Sequence, residues 1–568
     1  MNFALIKKST LRFVKFIFKR YTKFMTKKHI KKQNIFLKVG AIFLFSTIFF
    51  SCSSISLKNS EKEKTSNPIS SEYVGYKEVD ASFDVPEKNK LMSSADALED
   101  LDMICYLLKS AYAGYDEGCT RGFDESNFKK AVLARLPSDF LTNSFVLETR
   151  NVLLNFFSDS HLSFTGYNDW QVPVARPMSL YYSSVYVKKI DDGYEVLYSE
   201  EKDILPGQKI DISEENLFYY PILNGTFNEN CYRIGEFFES IYYMDEMPSR
   251  TLEVLFSVDE KMVSVPVKYD YPLNQMNTVR TGIVETGSTG YVSLSTFMQE
   301  KKSSRYKIGS DKNFEKWFSV PQKFFNKENL IIDLRGNGGG LVENAINFLD
   351  LLYVNKPGAF KWEKRWPESK SVLIEEIYSN FKGIVSAPMI EASLIWEKEL
   401  FPMTKEMKEH ELLLEELKNC QEKHTYNFVD MNEDFGNLKK SCMVKANPYK
   451  GKILILVDKN SASASEFFIA YAKKLFDSQV VVLGQNTCGC VSYWGILSFH
   501  LPQSKVTLSL ASINGRTFFD SLPNYHGEGK GFYPDIWCSF EDLLPAIVHE
   551  INDRELLQKL KYIGRALQ

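Results

Sequence analysis

Three serines alternate with alanines in the stretch SASAS, at Ser461, Ser463 and Ser465, where a buried apolar run gives way to a predicted helix. The run KILILV precedes them, and Phe467 and Tyr471 follow at helical spacing. The free amides and the dipole of a helix N-terminus favour a developing anion. One of these serines could therefore be a nucleophile whose following N–H group helps to bind an oxyanion. The alternative is that they only cap the helix, which is a common role of serine.

A second apolar run, NLIIDL, opens into a glycine-rich turn that contains Gly336, Gly338, Gly339 and Gly340. The pattern is not GxGxxG, because Leu341 occupies the last glycine position, and no GK[ST] follows. Phosphate binding is therefore disfavoured. Bare N–H groups at the end of a strand could hold a ligand oxygen, as an oxyanion hole requires. The alternative is a tight turn that uses glycine for its positive φ.

Composition and charge exclude several other functions. The chain has nine cysteines but neither CxxC nor HExxH, and Cys488 and Cys490 in CGC are too close for the usual zinc pair. We expect no metal and no cofactor, and because the cysteines are scattered, no disulfide pairing can be deduced from the sequence. Residues 1–52 carry twelve Lys/Arg and no Asp or Glu, so the rest of the chain sums to −3 − 12 = −15. An acidic body argues against a nucleic-acid partner.

The elements that position these residues fall into regions that differ in their predicted secondary structure. With 568 residues, 44% of them apolar, the chain can bury more than one core. Residues 91–171 predict a helical N-terminal domain, with helices in ADALEDLDMICYLLKSAY and FVLETRNVLLNFF, and residues 172–280 predict a β-rich domain of short alternating strands. From residue 281 to 568, strands and helices alternate, which predicts an α/β core. Within it, residues 341–451 form a charged helical insertion, either a solvated excursion or a lid over the site.

The N-terminus predicts export. The twelve cations lead into an apolar run at residues 39–50, which is too short to span a bilayer but has the size of a signal h-region. Cys52 follows in FFSCSS, as in bacterial lipoprotein signals whose cysteine is lipidated, although Phe49 stands where leucine is usual. The alternative is a plain signal peptide or a short anchor, and Met25 is a second candidate start. We predict a signal at 1–52, a tether at 53–90, and a membrane-anchored lipoprotein in the periplasm or on the cell surface.

Four stretches together resemble the tail-specific, or C-terminal-processing, serine peptidases, which include the tricorn core protease. These stretches are IIDLRGNGGG, ILILVDKNSASASEFF, GQNTCG and GEGKGFYPDI, in the family's order, and the resemblance covers roughly residues 281–545. It implies a crotonase-like ββα catalytic core within the α/β fold class. It also implies that Ser463 is the nucleophile, and that the backbone N–H groups of Ala464 and Gly339 form the oxyanion hole.

The general base departs from the processing peptidases, which place a lysine directly after GxxTxG. Here Cys490 follows GQNTCG. Lys473 and Lys474 cannot replace that lysine, because ten or eleven helical residues at about 1.5 Å each place them about three turns from Ser463.

The tricorn-like branch instead uses an upstream histidine, and the stretch FFSDSHLSF resembles its motif. The resemblance implies that His161 is the general base, with a near-neutral pKa suited to taking the serine proton. It further implies that Ser160 supports the network, and that Glu528 acts with Ser160 rather than directly on the imidazole. His526, two residues from Glu528, is the competing base.

The region at 172–280 lies where the processing peptidases carry a PDZ module, and ILPGQKIDI weakly resembles part of that signature, so a degenerate PDZ-like fold is expected there. The sequence thus predicts an exported, lipid-anchored serine endopeptidase acting on polypeptides. The alternatives are a catalytically inactive relative that binds polypeptides or apolar ligands, and a surface interaction lipoprotein in which the core is only a scaffold. The sequence does not predict the oligomeric state or the substrate.

Overall fold

A computed structural model describes most of the chain between residues 76 and 562. The described residues, apart from single residues and one pair inside these ranges, are 76–81, 89–166, 171–176, 178–223, 226–239, 251–269, 282–298, 317–354, 366–367, 382–400, 403–419, 429–430, 443–444 and 447–562. They form two compact units. Unit 1 comprises the chain to residue 175 with 368–443 and 492–518, and unit 2 comprises 176–367, 444–491 and 519–568.

The described helices are α1 (Ser94–Ala111), α2 (Tyr115–Thr120), α3 (Glu125–Leu133), α4 (Thr142–Leu153), α5 (Val320–Lys323), α6 (Val342–Val354), α7 (Ala387–Leu400), α8 (Lys405–Lys418), α9 (Ala464–Phe476), α10 (Arg516–Phe519), α11 (Leu543–Glu550) and α12 (Arg554–Tyr562).

The first described strands are β1 (Leu91–Ser93), β2 (Asp139–Leu141), β3 (Asp159–Thr165), β4 (Gln171–Val174), β5 (Met178–Ile190), β6 (Gly193–Tyr198), β7 (Lys209–Asp211), β8 (Leu217–Tyr219), β9 (Ile222–Leu223), β10 (Thr226–Phe227), β11 (Cys231–Glu239), β12 (Thr251–Val258) and β13 (Lys261–Tyr269). They are followed by β14 (Ile283–Glu285), β15 (Thr289–Ser293), β16 (Asn329–Asp333), β17 (Trp366–Pro367), β18 (Lys382–Gly383), β19 (Val429–Asp430), β20 (Met443–Val444), β21 (Lys452–Val457), β22 (Val480–Gly484), β23 (Tyr493–His500), β24 (Thr507–Asn514) and β25 (Ile536–Trp537).

Unit 2 contains the predicted α/β core. Its six-stranded sheet has the order β14-β15-β16-β21-β22-β25, and every neighbouring pair except β14–β15 is parallel. The strands predicted in TGYVSLSTF, NLIIDLRG and KILILV and the helix predicted after SASAS are confirmed. Nearly continuous apolar runs form the central strands because helices cover both faces of a parallel sheet.

The two covered faces account for that apolar character. On one face α6 packs against α9, with the rings of Phe348 and Phe468 5.9 Å apart. On the other face Ile331 and Leu454 join a buried cluster with Ile547 of α11. Because β16 and β21 are parallel neighbours, the chain leaves both at the same edge of the sheet. This topology brings the glycine turn after β16 next to the serine turn after β21.

The second sheet of unit 2 consists of strands from the region that we predicted to be β-rich. Its order is β13-β12-β7-β6-β5-β11-β8, and an additional pairing of β13 with β5 closes five of the strands into an antiparallel barrel. Valines and isoleucines of alternate positions fill the barrel, including Val185, Val187 and Val265. The PDZ-like and crotonase-like details of the predicted fold remain predictions.

Unit 1 contains strands as well as the helices of the helical N-terminal domain that we predicted at 91–171. Helices α1 and α4 form where the apolar spacing predicted helices, but α4 ends at Leu153 and the next residues form β3 and β4. These strands belong to an antiparallel sheet of order β19-β18-β24-β3-β4, in which β23 also pairs with β24. One of the two partners of β3, the strand β24, therefore comes from far along the sequence, whereas β4 follows β3 directly. The pattern of a single sequence does not predict the pairing of strands that lie so far apart in the chain.

The predicted 341–451 insertion is not a single excursion in the described residues. It opens with α6, which packs in unit 2, whereas α7 and α8 belong to unit 1. The predicted signal and its Cys52 lie outside the described residues. The six cysteines within the described residues form no disulfide bonds. None of the helices described here is long and apolar enough to cross a membrane.

Candidate active site

The three serines of SASAS have different surroundings in unit 2. Ser461 is buried and its Oγ donates to Leu334 O (2.8 Å), and Ser465 is buried and its Oγ donates to Asn337 O (2.8 Å). Both hydroxyls thus tie the serine turn to the glycine turn. Ser463 is partly exposed and is the N-cap of α9. Of the three, only Ser463 can be approached from solvent.

Ser463 has an unusual backbone, with φ = 55° and ψ = −114°. A non-glycine residue in such a conformation costs about 1–3 kcal/mol and persists only where its surroundings enforce it. Glu466 supplies that constraint, since its Oε2 accepts the Ser463 amide (3.1 Å) and its own amide donates to Ser463 O (2.9 Å). Backbone strain of this kind is common at active sites.

The Glu466 carboxylate is completely buried and accepts three further hydrogen bonds. Its Oε1 accepts from Thr487 Oγ1 (2.5 Å) and Gly489 N (2.9 Å), and its Oε2 accepts from Cys490 N (2.7 Å). Burial raises the pKa of this carboxyl, and the hydrogen bonds to Thr487 and the backbone amides act in the opposite direction. Sequence reasoning missed Glu466, although the capping-box spacing of Ser463 and Glu466 was a usable signal.

The glycine turn touches the serine turn at Gly339. A β-carbon built on Gly339 would lie 2.8 Å from Ser463 Cβ and 3.0 Å from Ala464 N, so only glycine allows this approach. Its φ of +99° also requires glycine. Asn337 fixes the turn, because its Oδ1 accepts the Gly339 amide (2.9 Å) and its backbone oxygen accepts the Ala462 amide (3.0 Å).

The two predicted oxyanion donors therefore differ. The Ala464 amide, at the first position of α9, has no intrahelical partner and donates to no other described residue. The Gly339 amide already donates to Asn337, whereas Gly338 is exposed and its amide makes no hydrogen bond within the described part of the chain. The assignment of Ala464 fits the geometry. For Gly339 to be a donor, its amide must either be shared between Asn337 and the oxyanion or break its hydrogen bond with Asn337.

A buried ion pair supports the start of the glycine turn. Arg335 Nε and Nη2 donate to both oxygens of Asp333 (2.9 and 2.6 Å), and Tyr291 Oη donates to Asp333 (2.8 Å). The Asp458 carboxylate, from the serine side, accepts the Gly336 amide (2.9 Å). These hydrogen bonds fix the glycine turn and the serine turn where each one begins.

Glu528 lies on a third loop of unit 2, beside the loop that follows β22. Its Oε1 accepts the Val491 amide (3.1 Å), and Gly529 N donates to Gly489 O (2.8 Å). Glu466 and Glu528 thus hold the successive amides of residues 489–491. The predicted partner Ser160 belongs to unit 1, so the pairing of Glu528 with Ser160 remains a prediction.

The position of the family lysine is occupied by a buried thiol. Cys490 is 9% exposed, and its amide is held by Glu466. Lys473 is engaged elsewhere, since its Nζ donates to Asp535 Oδ2 (2.5 Å) and Val480 O (3.0 Å). A Ser–Lys dyad at the usual family position is therefore absent in this part of the structure.

His161 lies in unit 1 on a bulge of β3, between the pairs Asp159↔Val174 and Ser163↔Pro173. Bulges commonly re-aim side chains next to active sites. Asp159 holds the bulge through its Oδ1, which accepts the His161 amide (2.7 Å). Burial lowers the pKa of the imidazole to about 4, against the opposing effect of a hydrogen bond with the Tyr493 backbone. The expected near-neutral pKa is thus not what this environment provides, although the ring is neutral at pH 7.

Burial acts on Asp159 as well. It raises the pKa of this carboxyl to about 7, against the hydrogen bonds from the His161 amide, Tyr112 and the Leu162 amide. Asp159 bonds the backbone rather than the imidazole, so it positions His161 without forming a Ser–His–Asp triad. The competing base, His526, is exposed and stacks on Tyr533 with ring centroids 3.6 Å apart. Within the described residues, no group of three or more His, Cys, Asp or Glu side chains could hold a metal ion.

Comparison with known proteins identifies one family. Residues 288–536 match the profile of peptidase family S41. No curated protein sequence is significantly similar to the chain.

Several solved structures resemble the chain at low identity. Mature CPAF complexed with lactacystin is 15% identical, covers 84% of this chain and 99% of its own, and has a TM-score of 0.36. The photosystem II D1 C-terminal processing protease is 13% identical, with coverage of 80% and 94% and a TM-score of 0.28. An S41 protease from Bacteroides fragilis NCTC 9343 is 14% identical, with coverage of 82% and 96% and a TM-score of 0.30.

Proposed function

Since residues 288–536 are those of a family S41 peptidase and the chain is a serine-type peptidase, we propose that it is an endopeptidase whose nucleophile is Ser463. The single observation that carries this proposal is the geometry of the serine turn. Among the three candidate serines, Ser463 alone is partly exposed, and it combines a strained backbone with the free amide of Ala464 directly after it. Those are the requirements of a nucleophile that helps to bind its own oxyanion.

The proposed reaction begins when Ser463 Oγ attacks the carbonyl carbon of a peptide bond and His161 takes the hydroxyl proton. The carbonyl oxygen becomes an oxyanion, which accepts from the Ala464 amide and from an amide of the glycine turn. The C–N bond then breaks as the imidazolium gives its proton to the leaving amine. Water, deprotonated by His161, hydrolyses the acyl-enzyme and restores the Ser463 hydroxyl. A general base contributes about 10²–10⁴ in rate, and one oxyanion donor about 10²–10³.

We propose His161 as the base for Ser463 although the two residues belong to different units. Three observations favour it. The imidazole is neutral at pH 7, it sits on a bulge, and the Tyr493 backbone bonds the ring. A hydrogen bond at one ring nitrogen fixes the tautomer of the imidazole. We retain Ser160 and Glu528 as the proposed supporting pair.

A second candidate function is that of an inactive relative that binds polypeptides or apolar ligands. Two observations favour it, namely the buried Cys490 in place of the family lysine and the engagement of the Gly339 amide by Asn337. Chemistry at Ser463 separates the two functions.

A fluorophosphonate probe provides that test, because it forms a covalent adduct only with an activated serine. We expect the wild-type chain to be labelled and Ser463→Ala to remain unlabelled. Ser461→Ala, which removes the hydrogen bonds of a buried hydroxyl in the same turn with Leu334 O and the Asp458 amide, is the matched control and should still be labelled. For the base, His161→Ala should slow labelling by about 10²–10⁴, whereas His526→Ala should not. A folded wild-type protein that resists labelling would favour the inactive relative.

We also propose that the chain is exported and anchored to a membrane through lipidated Cys52. The basic segment, the short apolar run and the cysteine in residues 1–52 support this. The test is fractionation of cells that express the full chain, with Cys52→Ser as the variant. The wild-type protein should partition with membranes and the variant should be released. Equal distribution of both would contradict lipid anchoring.

A further inference from the structure

A carboxylate in unit 1 joins several groups close to the proposed base. Glu117 of α2 is partly exposed, and its Oε2 accepts from Tyr493 Oη (2.8 Å) and from Arg516 Nη1 (2.6 Å). Its Oε1 accepts from Asn514 Nδ2 (3.3 Å). Tyr493 and Asn514 are paired where β23 begins and β24 ends, and Arg516 lies just beyond. We call these four residues the Glu117 cluster.

Tyr493 connects the Glu117 cluster to His161. Its hydroxyl donates to Glu117, and its backbone makes a hydrogen bond with the imidazole. The tyrosine is buried, and its pKa is raised by that burial and by the charge of Glu117, so the hydroxyl keeps its proton and stays a donor. A single residue therefore contacts the carboxylate with its side chain and the proposed base with its main chain.

The helix that carries Glu117 also packs against the chain that leads into β3. A β-carbon built on Gly118 would lie 2.0 Å from the Phe157 ring, so α2 and this ring are in close contact at a position without a side chain. Phe157 is buried and lies just before Asp159, whose Oδ1 accepts the His161 amide (2.7 Å). Through its helix, Glu117 is therefore fixed relative to the bulge that presents His161.

These contacts can control the orientation of the imidazole. Asp159 holds the backbone of His161, whereas the ring itself is directed by its hydrogen bond with Tyr493. Tyr493 is the first residue of β23, so its side-chain bond to Glu117 helps to hold the backbone that the ring contacts. A general base must lie within about 2.6–3.2 Å of the proton donor, and a misplacement of about 1 Å can cost about 10² in rate. A loosened Tyr493 would therefore slow proton transfer without removing the imidazole.

We propose that Glu117 is a positioning residue for the peptidase reaction and acts through Tyr493 on the imidazole of His161. The other two members of the Glu117 cluster orient the carboxylate, and the carboxylate holds the Tyr493 hydroxyl. Glu117 itself takes no proton in the reaction. The inference rests on the proposed function, because it requires His161 to be the base.

The first experiment measures the rate of fluorophosphonate labelling at Ser463. Glu117→Ala and Tyr493→Phe should each slow it by about tenfold, and the double variant should also be about tenfold slower, because both changes break one connection. Glu117→Gln keeps an oxygen that can accept from the Tyr493 hydroxyl and should retain most of the rate. Arg121→Ala is the matched control, since Arg121 Nη2 lies 3.8 Å from the same carboxylate, and it should label like wild type. With a cleaved peptide, Glu117→Ala should lower kcat by the same factor and leave KM unchanged.

A second experiment separates positioning from a general loss of structure. In the His161→Ala chain, adding Glu117→Ala should cause no further loss of labelling rate, because the group that Glu117 positions is gone. With isotopically labelled histidine, the ring nitrogen shifts of His161 should report one neutral tautomer in wild type and a mixture in Glu117→Ala. A further loss of about tenfold in the His161→Ala chain, or wild-type labelling by both Glu117→Ala and Tyr493→Phe, would overturn the inference. Wild-type labelling by His161→Ala would instead refute the proposed base, and the nitrogen shifts would still decide whether Glu117 orients the ring.

Discussion

Replacing Gly339 by alanine tests whether the glycine turn must contact the serine turn for catalysis. The new β-carbon would meet Ser463 Cβ at 2.8 Å, Ala462 O at 2.8 Å and Ala464 N at 3.0 Å, whereas ordinary van der Waals contacts begin at 3.4 Å. Alanine would also have to adopt φ = +99°. Gly338→Ala is the matched control, because a β-carbon there has no atom within 4 Å and Gly338 is not among the glycines with positive φ.

The magnitude follows from these distances. The two turns must separate by about 3.4 − 2.8 = 0.6 Å for the contact to become ordinary. Overpacking costs about 1–3 kcal/mol and left-handed backbone about 1–2 kcal/mol, so Gly339→Ala should lower the free energy of unfolding by about 2–5 kcal/mol. A misplacement of about 1 Å in a catalytic group can cost about 10² in rate. We therefore expect Gly339→Ala to slow fluorophosphonate labelling of Ser463 by about 10–100-fold.

The assay measures the labelling rate and the denaturant midpoint of both variants. Gly338→Ala should change the free energy of unfolding by about 0.5 kcal/mol or less and leave the labelling rate close to wild type. Equal labelling rates for the two variants, with Gly339→Ala folded, would refute the reasoning. It would mean that the contact between the turns does not position Ser463.

Three further predictions concern the carboxylates and the histidine. Glu466→Gln places an amide group against two hydrogen-bond donors. We therefore expect the free energy of unfolding, measured with denaturant, to fall by about 2–4 kcal/mol and the labelling of Ser463 to slow. Wild-type values for both would contradict the role of Glu466 in holding the Ser463 backbone. If His161 is the base, kcat/KM should fall on the acid side near pH 4, because burial lowers the imidazole pKa to about 4; a fall near pH 6.5 would show an ordinary histidine. The lowered pKa of His161 removes stability as the pH falls from about 6.5 to 4, whereas the raised pKa of Asp159 removes stability as the pH rises from about 4 to 7, so the two effects oppose each other. In the Asp159→Asn variant, the free energy of unfolding measured by denaturant titration should fall by about 3 kcal/mol between pH 6.5 and pH 4, because only the effect of His161 remains. The double variant Asp159→Asn, His161→Ala should not show this fall.

The sequence was sufficient to predict the α/β core, because there the local pattern of apolar residues agrees with the topology of the sheet. NLIIDL and KILILV are predominantly apolar, as is typical of strands covered on both faces, and each is followed by residues typical of a turn. Parallel neighbours then place both turns at one edge of the sheet, so the approach of the glycine turn to Ser463 follows from topology. The capping-box spacing also contained the signal for Glu466.

The other features of the site depend on side-chain hydrogen bonds and on long-range strand pairing, which the spacing of apolar residues does not predict. Asn337 takes up the Gly339 amide through its side chain, and short polar side chains can do so wherever the backbone bends toward them. His161 was predicted in a segment after a helix but lies on a bulged strand whose partner, β24, is more than 300 residues away. Tyr493, whose backbone bonds the imidazole, is also more than 300 residues away. The sequence predicted the candidate residue but not its electrostatic environment.

The most direct test of the account is a crystal structure of the chain after reaction with a fluorophosphonate. We predict phosphorus bonded to Ser463 Oγ, the phosphoryl oxygen about 2.7–3.2 Å from the Ala464 amide, and a His161 ring nitrogen within hydrogen-bond distance of Ser463 Oγ. An adduct on another residue, or an adduct on Ser463 with the imidazole out of reach, would contradict the pairing of these two side chains.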